Sequence, residues 1–194
     1  MVVPRVGVLA LQGDVREHEA AFVELGVDVR RVRTAAHLDD VDALVIPGGE
    51  STAIAHLLDT SGLRSEIGTR LGSGLAIFGT CAGLILVARD VLDGRVDQWS
   101  FGVLDVSVRR NGYGRQIASF ETELEVHGVG NVHGVFIRAP KIEAIGDDVV
   151  VLASHDHGGG THPVLVRQGR VWGCSFHPEL TNDRRVQRLF VESI

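Results

Sequence analysis

Two cysteines in 194 residues, Cys81 and Cys174, are too few for a disulfide scaffold, so the expected compartment is a reducing cytoplasm. Lysine occurs once, at Lys141, which leaves imine chemistry a single candidate amine. Aromatic residues make up only 5%, so the core has to be largely aliphatic. No apolar run approaches the ~20 residues of a membrane-spanning helix. The first residues, Met1 to Arg5, lead straight into a strand pattern without the architecture of a secretory signal. A basic excess is absent as well. The formal net charge of −6 argues against a nucleic-acid binder and against a polybasic membrane-surface protein.

What is present is ordinary globular material: 44% hydrophobic residues, 23% charged and 24 glycines. The length suits one domain, residues 1–194, with a core that needs neither metal nor disulfide. Short apolar runs at 5–10, 27–32, 41–46 and 75–78 read as buried strands. Helical patterns follow them: one after Asp14, capped by Asp14 with Glu17 in a capping box, then 51–59, 61–71 and 84–88. This alternation predicts βαβ units and a mostly parallel sheet flanked by helices. Beyond about Asp93 the pattern changes. Runs at 101–109, 120–126, 132–138, 149–153, 163–167 and 171–176 read as strands without long helices between them, an added antiparallel portion. A helix over 182–193 closes the chain, and Gly158-Gly159-Gly160 reads as a turn.

Three segments carry chemistry. Gly79-Thr80-Cys81-Ala82-Gly83 fits G-x-C-x-G between a strand and a helix, the thiol counterpart of a nucleophile elbow. There the glycines permit a sharp turn, the helix N-terminus favours thiolate, and the Ala82 N–H is placed to stabilise an oxyanion. The bland reading is a buried cysteine in a glycine-rich turn. Ser175-Phe176-His177-Pro178-Glu179 ends a strand, and residues two apart in extended chain point to one side. Glu179 can thus hold one nitrogen of His177 while the other faces the thiol, giving nucleophile, base and orienter in the order Cys81, His177, Glu179. Pro47-Gly48-Gly49-Glu50-Ser51 lets backbone N–H groups approach a ligand, with Gly49 a second oxyanion donor; alone it would read as a plain strand-to-helix turn.

Together these segments resemble the class I glutamine amidotransferases. Val8 to Gly13, Arg16-Glu17-His18, Pro47 to Thr52, Gly79 to Leu84, Arg110-Asn111, Gly114-Arg115-Gln116, Ser119-Phe120-Glu121, Val135 to Pro140 and Cys174 to Thr181 narrow the resemblance. They are similar to the PdxT/SNO family, the glutaminase subunits of pyridoxal 5′-phosphate synthase. The resemblance runs from about Val6 to Phe190; G-x-C-x-G is weakly specific, and F-I-R-A-P and R-N-x-x-G-R-Q are far more so. It implies a class I glutamine amidotransferase-like α/β fold and hydrolysis of L-glutamine to glutamate and ammonia through a Cys81 thioester. It implies glutamine held by Gly49, Glu50, Ser51, Arg110, Ile137 and Arg138, no cofactor and no metal. It also implies a separate (β/α)8-barrel synthase subunit that receives the ammonia and activates the glutaminase on docking. A free amino acid needs both a cation and an anion in its pocket, and Arg110, Arg138 and Glu50 are of those types, although an arginine is more often a surface ion-pair residue.

Other readings stay open at this stage. The chain could serve another amidotransferase, such as imidazole-glycerol-phosphate synthase, against which F-I-R-A-P speaks. It could be a DJ-1-like reactive-cysteine protein, which would lack the His-x-Glu pair, or a regulatory subunit without catalysis, against which the complete triad speaks. His155-Asp156-His157 with His162 has the residue types of a metal site but falls beside three glycines in a variable hairpin.

Overall fold

The computed structural model describes residues 3–95, 98–112, 119–156 and 160–194. Tyr113, the Gly114-Arg115-Gln116 segment, His157, Gly158 and Gly159 lie outside the described residues.

The first half alternates as expected: β1 (Arg5–Leu9), α1 (Val15–Glu24), β2 (Asp28–Val32), β3 (Ala43–Ile46), α2 (Ser51–Thr60), α3 (Leu63–Gly72), β4 (Ala76–Thr80) and α4 (Ala82–Val87). The second half is β5 (Ala88–Val91), β6 (Leu104–Arg109), β7 (Ser119–Val126), β8 (Gly130–Ile137), β9 (Lys141–Ile145), β10 (Val150–Asp156), β11 (Thr161–Gln168), β12 (Val171–Cys174) and α5 (Arg185–Val191). Strands β5 and β9 were not expected from sequence. The helix read over 84–88 begins and ends earlier, and Ala88 already turns into β5.

Seven strands form one sheet in the order β10-β11-β12-β4-β3-β1-β2. β12, β4, β3, β1 and β2 run parallel, and β11 and β10 add antiparallel at one edge. Of the smaller sheets, β7-β8 is antiparallel, whereas in β5-β6-β9 the β6–β9 pair is antiparallel and the β5–β6 pair parallel. β3 shows why the central strands are continuous apolar runs. Leu44 and Ile46 face one core, Ala43 and Val45 the other, and all four are buried. The core facing α2, α3 and α4 is aliphatic. Trp99 and Phe101 pack partly buried against it, and the fully buried aromatics gather on the opposite face, where Phe78 packs against Trp172 and Phe190 at centroid separations of 6.3 and 5.3 Å. The expected aliphatic core therefore describes one side of the sheet only.

Register brings the three motifs to one place. Cys174 on β12 pairs with Thr80 on β4, and Gly79 pairs with Ile46 on β3. The next residues, Ser175 to His177, Cys81 and Pro47-Gly48, thus emerge side by side at the C-terminal edge of the parallel strands, where open α/β sheets carry their sites. Among the described residues no helix is long and apolar enough to cross a membrane.

One local expectation fails. Asp14 precedes α1, but its side chain makes no cap hydrogen bond, so the Asp14–Glu17 capping box does not form. Its carboxylate instead lies 3.3 Å from His177 Nδ1. An ion pair with a buried imidazole has won over a solvent-facing cap.

Candidate active site

Cys81 sits between β4 and α4 with φ 50° and ψ −105°, a strained conformation for a residue with a side chain. The strain falls on the cysteine, whereas the flanking glycines serve close packing. A Cβ on Gly79 would stand 2.4 Å from the Gly83 carbonyl oxygen, and one on Gly83 would stand 2.1 Å from the Ile46 carbonyl oxygen. Only one other non-glycine residue among those described has positive φ, Arg138 at 45°. Both strained residues line the same cavity, of about 450 Å³. Strain of this kind concentrates where a fold holds a side chain to a task.

His177 is buried, and its Nδ1 is 2.7 Å from Glu179 Oε1, itself fully buried. The i, i+2 pairing expected from sequence is therefore formed. Asp14 is a second carboxylate on the same nitrogen. Burial works to lower the His177 pKa, but hydrogen bonding to Asp14, Cys81 and Glu179 outweighs it and pushes the value up to about 12. With Nδ1 engaged by carboxylates, Nε2, which is buried without a hydrogen-bond partner, is the atom left for the thiol. The Cys81 Sγ also lies 3.8 Å from the Ile137 carbonyl oxygen. Cys174 behaves differently. It is completely buried, bonds the Phe176 carbonyl at 3.2 Å, and burial pushes its thiol well up, as befits a core residue.

The cavity brings together Cys81, Ala82, Gly49, Glu50, Ser51, Arg110 and Arg138. Of the expected glutamine contacts only Ile137 is not part of its wall, and it reaches the thiol through its backbone. Glu50 has tasks that its sequence position does not announce. It is the N-cap of α2, accepting from the backbone N–H groups of Thr52 at 3.2 Å and Ala53 at 2.7 Å and from the Thr52 hydroxyl. Burial would raise its pKa, but these bonds and Arg110, whose Nη2 is 3.1 Å away, hold the carboxyl below the usual range. Ser51, buried, stands 3.5 Å from Gln98 Oε1. Gln12, which sequence reasoning did not single out as a site residue, accepts the Glu50 N–H at 2.9 Å and covers Gly49 so closely that a Cβ there would meet its Oε1 at 2.4 Å.

His155 and His162 pair across β10 and β11. The His155 ring stacks on Phe120 and Phe136, and His162 Nδ1 is 3.3 Å from the Ile142 carbonyl oxygen. Among the described residues the one group of three side chains with metal-like spacing is Asp14, His177 and Glu179. There the carboxylates already hold the imidazole.

A cysteine on a strained strand-to-helix turn, beside a buried imidazole–carboxylate pair at the edge of a parallel sheet, is the architecture of a glutamine amidotransferase. A solved glutamine amidotransferase superposes with a TM-score of 0.90 and 50% identity over 97% of both chains. The model of the SNO glutamine amidotransferase family matches residues 8–194, and the chain belongs to that family. It is 52% identical to the pyridoxal 5′-phosphate synthase subunit PdxT of Mycolicibacterium vanbaalenii, over the whole of both chains. It is 55% identical to the PdxT subunit of a Parafrankia strain, over all of this chain and 95% of the relative. A chain in the solved structure of PurLQS from Thermotoga maritima shares the fold at a TM-score of 0.68 and 17% identity, over 98% of this chain and 99% of that one.

Proposed function

We propose that this chain is the glutaminase subunit of a pyridoxal 5′-phosphate synthase, hydrolysing L-glutamine to glutamate and ammonia. Family membership and full-length similarity to PdxT subunits support the assignment. The observation that carries the mechanism is Cys81 on the wall of a cavity shared with Arg110, Arg138 and Glu50, backed by the buried His177–Glu179 pair.

In this reading the Cys81 sulfur attacks the side-chain amide carbon. The tetrahedral oxyanion is met by the backbone N–H groups of Gly49 and Ala82, each worth about 2.7–4 kcal/mol in such sites. His177, oriented by Glu179 and already holding the thiol's proton as an imidazolium, passes it to the leaving nitrogen, and ammonia departs from a glutamyl thioester. Water activated by the same ring then attacks the thioester, releasing glutamate and restoring the thiol. Arg110 and Arg138 are the cations for the substrate carboxylate, with Ser51 and the Ile137 backbone beside them. Glu50 is the anion for its ammonium, held in place by Arg110 and by the N–H groups of its own helix end.

Ammonia needs an acceptor, and the reading assigns it to a separate (β/α)8-barrel synthase subunit in the cytoplasm, the 194 residues acting as one glutaminase domain. The pairing is tested by ammonia release from glutamine by wild type and Cys81→Ala, each with and without the synthase. Wild type is expected to be slow alone and faster in complex, and Cys81→Ala inactive in both. Equal wild-type turnover with and without synthase would refute the activation.

A further inference from the structure

His18 lies on α1, outside the three motifs, yet its side chain is completely buried against them. Its Nε2 is hydrogen-bonded to Thr80 Oγ1 at 3.0 Å and lies 3.5 Å from Glu179 Oε2, which has no hydrogen bond of its own, while His18 Nδ1 has no partner. Thr80 is the residue before Cys81. Glu179 gives its other oxygen, Oε1, to His177. One ring therefore touches both halves of the site, the elbow and the His-x-Glu segment, which lie far apart in the chain.

The proton on this ring can be assigned. Burial lowers the His18 pKa; Glu179 opposes it, His177 reinforces it, and Asp14 and Glu17 oppose it more weakly, so the ring is neutral. A neutral imidazole has one N–H. On Nδ1 it would be a buried donor without an acceptor, and the Nε2 lone pair would face a carboxylate oxygen. On Nε2 it is donated to the Thr80 hydroxyl, with Glu179 Oε2 facing the same edge of the ring at 3.5 Å, and the unmet Nδ1 is then a lone pair and not an orphaned donor.

We propose that His18 is a positioning residue for the glutaminase reaction: its Nε2–H is donated to Thr80, beside Cys81, and the same edge of the ring faces Glu179 Oε2 and sets that carboxylate relative to the strand end carrying Cys81. The proposal rests on the glutaminase reading above. It requires that His18 act through Glu179 and not touch substrate.

The test uses the full chain in complex with the synthase and three variants. His18→Phe keeps the ring's bulk and removes the donor; His18→Gln places an amide N–H where Nε2 was; His18→Asn, whose amide reaches only the Nδ1 position, substitutes for His18→Phe if that variant does not fold. His18→Phe or His18→Asn is expected to lower kcat about 10–100-fold, the range seen when an outer hydrogen-bond partner of a site ligand is lost. KM for glutamine should stay within about twofold. His18→Gln should recover most of the rate, and His18→Phe should cost nothing further in a Glu179→Gln background, because both changes act through one group. Wild-type kcat in a folded donor-less variant, equal losses in His18→Gln and His18→Phe, or multiplied losses in the double variant would each overturn it. Iodoacetamide alkylation of Cys81 without glutamine separates this result from failure of the glutaminase reading. If wild type releases no ammonia, that reading falls. With that reading gone the proposal goes too, but its positioning contact is still read separately: a changed alkylation rate in the donor-less variant, restored by His18→Gln, shows that His18 sets the Cys81 environment, and an unchanged rate shows that it does not.

Discussion

At the scale of single residues, the site is built on one imidazole with two carboxylates on the same nitrogen. Glu179 at 2.7 Å is buried and fixed; Asp14 at 3.3 Å is partly exposed. His177 hydrogen bonding is the largest influence on Asp14 and holds its carboxyl below the ordinary value. Replacing Asp14 by Asn removes one of these anions but leaves a hydrogen-bonding side chain. The His177 titration should move down from about 12, read by NMR of the imidazole, and kcat should fall a few-fold while the Glu179 contact persists. An unmoved titration would mean that the Asp14 contact carries no energy. Cys81→Ala is the sharper change. With no sulfur there is no thioester, and turnover should drop by at least about a thousandfold without loss of fold, measured by ammonia release and by thermal unfolding.

At the scale of elements, glycines decide how closely the motifs approach. A Cβ on Gly83 would lie 2.1 Å from the Ile46 carbonyl oxygen at the end of β3, and backbone cannot step aside as a flexible side chain would. Gly83→Ala is therefore expected to cost about 2 kcal/mol or more of stability, measured by denaturant unfolding. Gly48→Ala meets a different neighbour, the Cε1 of His177 at 2.4 Å. It should push the imidazole away from the thiol and cut kcat with a much smaller loss of stability. The elements themselves are legible in the sequence to different degrees. β1, β3 and β4 announce themselves as apolar runs closed by glycine or proline. β5 does not, because Ala88 continues an apolar helix in sequence and turns into a strand only by pairing with Leu104 on β6. Lys141–Ile145 is short and only partly buried, and it is a strand because β6 offers it a partner.

At the scale of the whole molecule, the buried imidazolium links folding to pH. A histidine whose native pKa is raised to about 12 from 6.5 stabilises the fold fully below about pH 6.5, and that contribution drains away as the pH climbs toward 12. The lowered carboxyl of Asp14 acts oppositely, its contribution disappearing as the pH falls below 3.8. The stability gap between wild type and His177→Gln should thus be widest between about pH 4.5 and 6.5 and should narrow steadily to pH 10, as followed by unfolding midpoints. A gap that widens above pH 7 would contradict a charged native His177.

Local chemistry alone is enough to mark the β4–α4 elbow, the His177–Glu179 spacing and the two-sided burial of Ala43–Ile46. Each depends only on residues within a turn or a strand of one another, where period and bond geometry leave few choices. The same local chemistry points Asp14 to a cap, offers Glu50 only as a candidate anion for a substrate, and gives Gln12 and His18 no task in the site. The actual roles of these four depend on meetings across the sheet: Asp14 with His177, Glu50 with Arg110, Gln12 with Gly49, and His18 with Thr80 and Glu179. Periodicity tells a side chain which face of its own element it occupies. Which partner waits there is settled when the strands take their order and register, and only then does a buried polar group find, or lack, a hydrogen bond.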